Sequence, residues 1–234
     1  MTPQAAQSAE CFIDWRPIWE AHSTTYDVMV QQMAPADEAA VQRELLFCLL
    51  GGHSVSYELA LSATERCAEL DVFAPQWAPD DLKARLADEL GQPQFLPRKL
   101  DGTLRRYRYP RRKAMLVAAA SQWLALCGPL TQALSSLDCE RERRELLCAC
   151  PGIGPKTASW LLRNLGFAQN LAVLDVHVLR AMASAGLVDQ VNLSRDYEMV
   201  EETFLAWCED LAAPPAAFDL FLWEFQRGRM SVAA

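Results

Sequence analysis

The sequence predicts an all-α protein. Apolar residues recur at helical spacing along almost the whole chain, and no apolar–polar alternation persists beyond a few residues. Pro and Gly stand where helices would begin and end. With 234 residues, 51% of them hydrophobic, the chain can bury one good core or two small lobes sharing one.

The elements follow in order. Trp15, Ile18, Trp19 and Tyr26 fall on one face of an opening amphipathic helix. Pro35-Ala36-Asp37 starts a second helix, rich in Ala and Leu, that ends at Gly51-Gly52. A third runs from near Ser54 to about Leu70, and Asp80-Asp81 after Pro79 open a fourth. The stretch from Gly91 to Arg106 carries Pro93, Pro97 and Gly102 and reads as loop. Pro110 is placed as the first residue of a long helix through Leu126, broken by Gly128-Pro129. Asp138 is expected to cap the next helix, Asp175 another, and Ser194 one through Leu211. Pro214-Pro215 precede a last helix from Phe218 to about Arg227. The periodicity gives ten or eleven helices.

Composition narrows the function. Met1-Thr2-Pro3-Gln4 lacks the charged and apolar regions of a signal peptide. The longest apolar stretch, Met115 to Leu130, is interrupted by Ser121 and Gln122 and is too short to span a bilayer. No membrane partner is expected, and the chain is placed in the cytoplasm, in cytosol or nucleoid. No two of the eight cysteines have the Cys-x-x-Cys spacing, so reduced core thiols are expected and no metal site. The net charge of −8 argues against a general DNA binder, yet its distribution is uneven. Arg98 to Lys113 holds eight basic residues and one acidic one, so the rest of the chain carries −15. A basic edge on an acidic body fits local phosphate binding, with Arg105, Arg106, Arg111 and Arg112 as contacts; a solvated loop is the bland alternative.

The most informative segment runs from Leu146 to Arg180. Pro151-Gly152-Ile153-Gly154-Pro155 is a tight hairpin between two apolar stretches, with Lys156 directly after it and Asp175 nineteen residues on. Such a turn aims backbone N–H groups from a helix start and can clamp a phosphate. Gly152 and Gly154 permit close approach of the main chain, and Thr157-Ala158-Ser159 are small enough for two helices to cross closely. A Lys in the first helical turn has its protonated form disfavoured by the positive helix end and by burial, which suits a neutral amine nucleophile. A phosphate-touching surface lysine and a plain N-cap aspartate are the bland readings of the same pair.

These residues carry a resemblance. GIGPKTAS followed by LDVHVLR resembles the helix-hairpin-helix base-excision DNA glycosylases, and within them the 8-oxoguanine glycosylase/lyase group in its short bacterial and archaeal branch. The resemblance spans about residues 40–228 and is most specific over 151–180. It implies a single glycosylase-like unit over 1–234, of two helical lobes around a central cleft, with the helix-hairpin-helix at about 141–166. Lys156 matches the Schiff-base lysine, Asp175 the motif aspartate, and His177 a position that contacts backbone phosphate. The early helix Arg43–Leu50 matches as well. Asp219 and Trp223, four apart, match a pair that holds the flipped purine. The chain departs from the family where Gln or Asn often follows the early helix: Gly51-Gly52-His53 stands there, and His53 is a candidate for that job near the base. The four-cysteine cluster of the endonuclease-III and adenine-glycosylase branches is absent from the sequence.

The resemblance implies a bifunctional DNA glycosylase/AP lyase acting on double-stranded DNA with a flipped, oxidised purine. No cofactor is required, and the hairpin leaves room for a structural monovalent cation. A second reading follows from members of this fold that resemble accessory proteins of bacterial anti-phage (CBASS-type) operons: recognition or removal of a modified nucleobase on a protein or nucleotide. A third is a DNA-binding hairpin protein without catalysis.

Overall fold

The computed structural model describes residues 12–31, 37–52 and 54–228. Among them are twelve α-helices and no strand, apart from one isolated antiparallel bridge between Phe95 and Arg105. The chain divides into two compact units, one built from residues 1–32 and 169–234, the other from 33–168.

The first unit contains α1 (Arg16–Glu20), α2 (Ser23–Gln31), α10 (Val176–Ser184), α11 (Leu193–Asp210) and α12 (Pro215–Gln226). Its core is aromatic: Trp15, Trp19, Tyr26, Phe204, Trp207, Phe218 and Phe221 are all buried. The rings meet mostly edge to face, as at Trp207–Phe218 with centroids 4.8 Å apart. The polar tips are satisfied at the edge of this core. Trp15 Nε1 donates to Ser184 Oγ at 3.0 Å, and the Tyr26 hydroxyl donates to Glu224 Oε2 at 2.6 Å. The expected single opening helix is in fact two. The chain turns at Ala21–His22, where His22 Nδ1 lies 2.8 Å from the Ile18 carbonyl, and the turn lets Tyr26 reach the same core as Trp15 and Trp19.

The second unit contains α3 (Glu38–Leu50), α4 (Tyr57–Ala68), α5 (Pro79–Gly91), α6 (Pro110–Cys127), α7 (Leu130–Ser135), α8 (Glu140–Cys148) and α9 (Pro155–Asn164). Helix α3 is its centre. Val41, Leu45, Leu46, Leu49 and Leu50 are buried, and α4, α6, α7 and α9 pack around it. The Asp37 side chain accepts from Ala40 N at its start. Helices α5 and α6 form the most extensive pair, joined by the 92–109 segment.

Several expected boundaries move. Helix α4 is capped by Ser56, not begun near Ser54, because the Ser56 hydroxyl accepts the Leu59 N–H. Cys139, not Asp138, precedes α8, and it supplies no side-chain cap. Asn192, not Ser194, caps α11, its side chain accepting from Ser194 N. Helix α12 begins at Pro215, since a proline at the first position needs no hydrogen-bond partner. Pro35 and Ala36 lie outside the described residues. No helix among the described residues is long and apolar enough to cross a membrane.

Candidate active site

The helix-hairpin-helix lies in the second unit. Helix α8 ends at Cys148, the chain turns through Cys150–Gly154, and α9 starts at Pro155. The turn is closed by Cys150 N donating to Leu147 O at 3.0 Å and Ile153 N donating to Cys150 O at 3.1 Å. Ala158 and Ser159 are fully buried, as the small-residue pattern requires for a close crossing. The buried Arg144 of α8 reaches Ser159 Oγ at 3.4 Å. Gly152 has φ +92°, and a Cβ there would meet Leu116 Cδ2 at 3.1 Å and Leu49 Cδ2 at 3.3 Å. Gly154 differs. Its φ is −107°, and a Cβ would meet nothing within 4 Å. The protein itself does not need glycine at 154.

Lys156 is half-buried in the first turn of α9, its Nζ 5.9 Å from the centroid of the Trp160 ring one turn on. Trp160 in turn meets Phe47 of α3 edge to face at 6.1 Å. Below the lysine, Asn164 Nδ2 donates to Glu44 Oε1 at 2.7 Å, tying α9 to α3. Burial holds the Glu44 carboxyl above its ordinary range, against the Asn164 hydrogen bond and nearby Arg163. Burial also pushes the Cys48 thiol well up, with Glu44 adding to the effect and Lys156 and Arg163 opposing it. Cys48 therefore stays a neutral thiol beside the lysine and offers no competing thiolate. Trp160, Glu44 and Asn164 were not singled out by sequence reasoning. Only a register argument placing α3 against α9 would have found them.

The basic segment serves two purposes. Arg106, Arg111 and Arg112 are exposed, as is Arg105, whose Nε donates to the Pro97 carbonyl at 2.7 Å. Other members of the segment bind the chain itself. Tyr107 is buried and its hydroxyl donates to Leu50 O. Arg108 donates to Ser54 O at 3.1 Å. Lys113 Nζ donates to Leu49 O at 2.6 Å and Gly51 O at 2.5 Å. Burial, then Arg112, lowers the Lys113 pKa. Tyr107 and Lys113 thus close the C-terminal end of α3, and Arg108 ties the loop beyond it. His53, on the loop that follows, lies outside the described residues.

The remaining candidates lie in the first unit. Asp175 caps α10: its Oδ1 accepts from His177 N at 2.7 Å and Val178 N at 3.0 Å. The cap uses one carboxylate oxygen. His177 is half-buried, and its Nδ1 has no hydrogen-bond partner in the structure. Asp219 is buried, and Oδ2 accepts from Val173 N at 3.2 Å. The buried Glu201 accepts from Ala172 N at 3.2 Å, and the Tyr197 hydroxyl donates to Ala172 O at 3.0 Å. Two buried carboxylates thus fix the segment that delivers Asp175. Glu201 was invisible in the sequence because an acidic residue on an amphipathic helix reads as solvated. Trp223 stands outside the aromatic core, half-buried, with the Arg227 guanidinium 4.4 Å from its ring centroid. Among the described residues no group of three His, Cys, Asp or Glu could hold a metal ion.

Two helices crossing at a glycine turn, with a lysine in the first turn of the second, define a helix-hairpin-helix protein. A family model described as 8-oxoguanine DNA glycosylase matches residues 84–213. The chain belongs to that family. An 8-oxoguanine DNA glycosylase/AP lyase of Thermotoga petrophila is 34% identical over 127 residues, covering 53% of this chain and 59% of the relative. The aligned part thus spans little more than half the length of that relative. One of Korarchaeum cryptofilum is 30% identical over 192 residues, 80% of each chain. A crystal structure of Methanocaldococcus jannaschii 8-oxoguanine glycosylase/lyase, in complex with 15mer DNA containing 8-oxoguanine, shares the fold with a TM-score of 0.69. It is 21% identical and covers 91% of this chain and 95% of that one.

Proposed function

We propose that the protein is a bifunctional glycosylase/AP lyase that excises 8-oxoguanine from duplex DNA. The observation that carries this is Lys156 in the first turn of α9, directly after a turn whose Gly154 faces open space. A phosphate seated there would meet the N–H groups of the turn and helix start, which have no partner of their own within the helix. The names of the matched relatives support the same reading and lend nothing to a defence accessory.

The chemistry follows from the side chains. The damaged nucleotide leaves the stack before its glycosidic bond can be reached. Lys156 Nζ attacks the anomeric carbon, and the base departs with the electron pair of the broken C–N bond. Asp175, its Oδ1 engaged in the cap, stabilises the positive charge that develops on the sugar. The bound nitrogen loses one proton, the C1′–O4′ bond breaks with O4′ taking up a proton, and the sugar ring opens to a protonated imine. Loss of a proton from C2′ then expels the 3′ phosphate, which nicks the strand. Trp223 stacks on the flipped purine. Asp219 acts on its edge or, through Val173, on the path into Asp175. His177 contacts a phosphate. Arg105, Arg106, Arg111 and Arg112 attract the duplex. A monovalent cation at the hairpin would be held by backbone oxygens of the turn. A cytoplasmic location fits a substrate of chromosomal DNA.

Borohydride trapping with duplex DNA containing 8-oxoguanine tests the reading. The wild type should give a covalent adduct and a nicked strand, and Lys156→Gln should give neither while melting like the wild type. Folded wild-type protein that neither traps nor cleaves overturns it.

A further inference from the structure

The segment between α5 and α6 is a small built hairpin. Its root is anchored: Phe95 is 0% exposed, its ring 6.1 Å from that of the buried Tyr107, and Leu96 N donates to Ser62 Oγ of α4 at 3.1 Å. Backbone pairing between Phe95 and Arg105 runs in both directions, at 3.0 and 2.9 Å. Beyond the root the tip is tied to itself. Lys99 N donates to Thr103 O at 2.9 Å, and Gly102 N to Lys99 O at 3.0 Å. Arg98 Nη1 donates to Gly102 O at 2.8 Å, and Asp101 Oδ1 accepts from both the N–H and the hydroxyl of Thr103. Gly102, at φ +81°, completes the turn.

This rigid turn presents a leucine. Leu100 has a relative exposure of 111%, the highest of any large hydrophobic residue described, and Leu96 behind it is 51% exposed. Leu100 occupies the second position of the turn, where proline or a polar residue is the usual choice. It contributes no burial to the fold, so folding does not explain it. At the tip the exposed Arg98 and Lys99 precede it and the exposed Asp101 follows it, while the exposed Arg105 and Arg106 lie at the root of the hairpin. No carboxylate forms an ion pair with Arg98, Arg105 or Arg106 among the described residues.

An apolar prong on a hairpin with a basic collar at its root matches a polyanion with apolar faces between its charges. Duplex DNA is such a partner: phosphates flank stacked bases, and an aliphatic side chain can enter a base step from the groove. The chain that forms this collar continues into α6, whose Leu116 touches the Gly152 turn, so prong and phosphate cradle belong to one unit. We propose that the hairpin over residues 94–105 is a second duplex contact, with Leu100 entering the helix at a base step and Arg98 and Lys99 on the flanking phosphates. The proposal rests on the DNA-directed reading given above.

The test uses the whole protein and a duplex bearing an uncleavable abasic analogue. Binding is followed by fluorescence anisotropy, with 2-aminopurine placed at successive steps to report unstacking. Leu100→Ser should weaken binding roughly five- to tenfold, the loss expected of one leucine contact, and should remove the 2-aminopurine signal at a single step. Arg98→Gln with Lys99→Gln should lower the slope of log affinity against log salt by about two. Both variants should melt like the wild type, since Arg98, Lys99 and Leu100 are all exposed. Wild-type affinity, slope and unstacking in these variants would overturn the prong even where the wild type traps 8-oxoguanine DNA. A wild type that binds duplex without trapping ends the glycosylase reading alone, and the variants still decide the prong. A wild type that does not bind duplex at all ends both.

Discussion

Gly152 and Gly154 stand two residues apart and are glycine for different reasons. At 152 the backbone is left-handed and the space in front is occupied by Leu116 and Leu49. Alanine there costs about 1–2 kcal/mol of backbone strain, before any shift of the two leucines. At 154 the backbone is extended and the space is open. The two variants should therefore separate. Gly152→Ala should lower both the melting temperature and DNA affinity. Gly154→Ala should leave unfolding free energy within about 0.5 kcal/mol yet weaken binding about tenfold, because its methyl occupies the approach of a phosphate and loses a charge-assisted hydrogen bond. Urea denaturation and anisotropy on the same samples read both quantities. Equal losses of affinity and stability in Gly154→Ala would show that the glycine serves only the fold. At this scale much of the candidate site was legible: Lys156, Asp175 and both glycines lie within one short segment. Asp219 and Trp223 rested on resemblance alone, and the structure shows an added tie for the first, the Val173 N–H.

At the scale of elements, legibility followed length and local capping. Helices α3, α6 and α10 were readable because Asp37, Pro110 and Asp175 mark their starts and long apolar periods follow. Helix α7 was not. Its six residues bury only Leu130 and Leu134, and Gly128-Pro129 before it reads as a break. Its first turn is satisfied from a distance: Glu38 Oε2 accepts from Thr131 N and from the Thr131 hydroxyl, both at 2.9 Å. Burial alone would raise the Glu38 pKa, but the Thr131 and Leu130 N–H groups, the Thr131 hydroxyl and Gln42 together lower it. A carboxyl whose folded pKa is depressed contributes stability that is complete above its unfolded pKa and is lost as pH falls through the folded one. Glu38→Gln should cost about 1 kcal/mol at neutral pH and flatten the acid limb of the stability curve. Urea melts between neutral pH and the acid range check this, and an unchanged acid limb would assign that limb to other carboxyls.

At the scale of the molecule, the charge pattern decides how a chain of net −8 meets a polyanion. Exposed Arg105, Arg106, Arg111 and Arg112 concentrate attraction on one stretch, while the acidic remainder repels DNA elsewhere. Replacing all four by Gln should reduce the salt slope of duplex binding by about three to four without altering the melting temperature. A slope identical to the wild type would show that phosphates are held elsewhere. Tyr107 and Lys113 belong to the same stretch of sequence but not to this surface, because their donors are spent on the carbonyls that end α3.

The sequence by itself determined the helical class, the starts of α3, α5, α6 and α10, the glycine turn and the lysine that follows it. All of these depend on short-range rules: period, capping, and the backbone freedom of glycine. The tertiary structure decided which charges face outward and which are consumed inside. It turned Lys113 into a cap for α3, gave Glu38 to α7, buried Glu201 and Asp219 against the segment before Asp175, and lifted Leu100 onto a rigid tip. The physical reason is common to the first three. A side chain's surroundings are set by residues distant in sequence, and no local pattern records them.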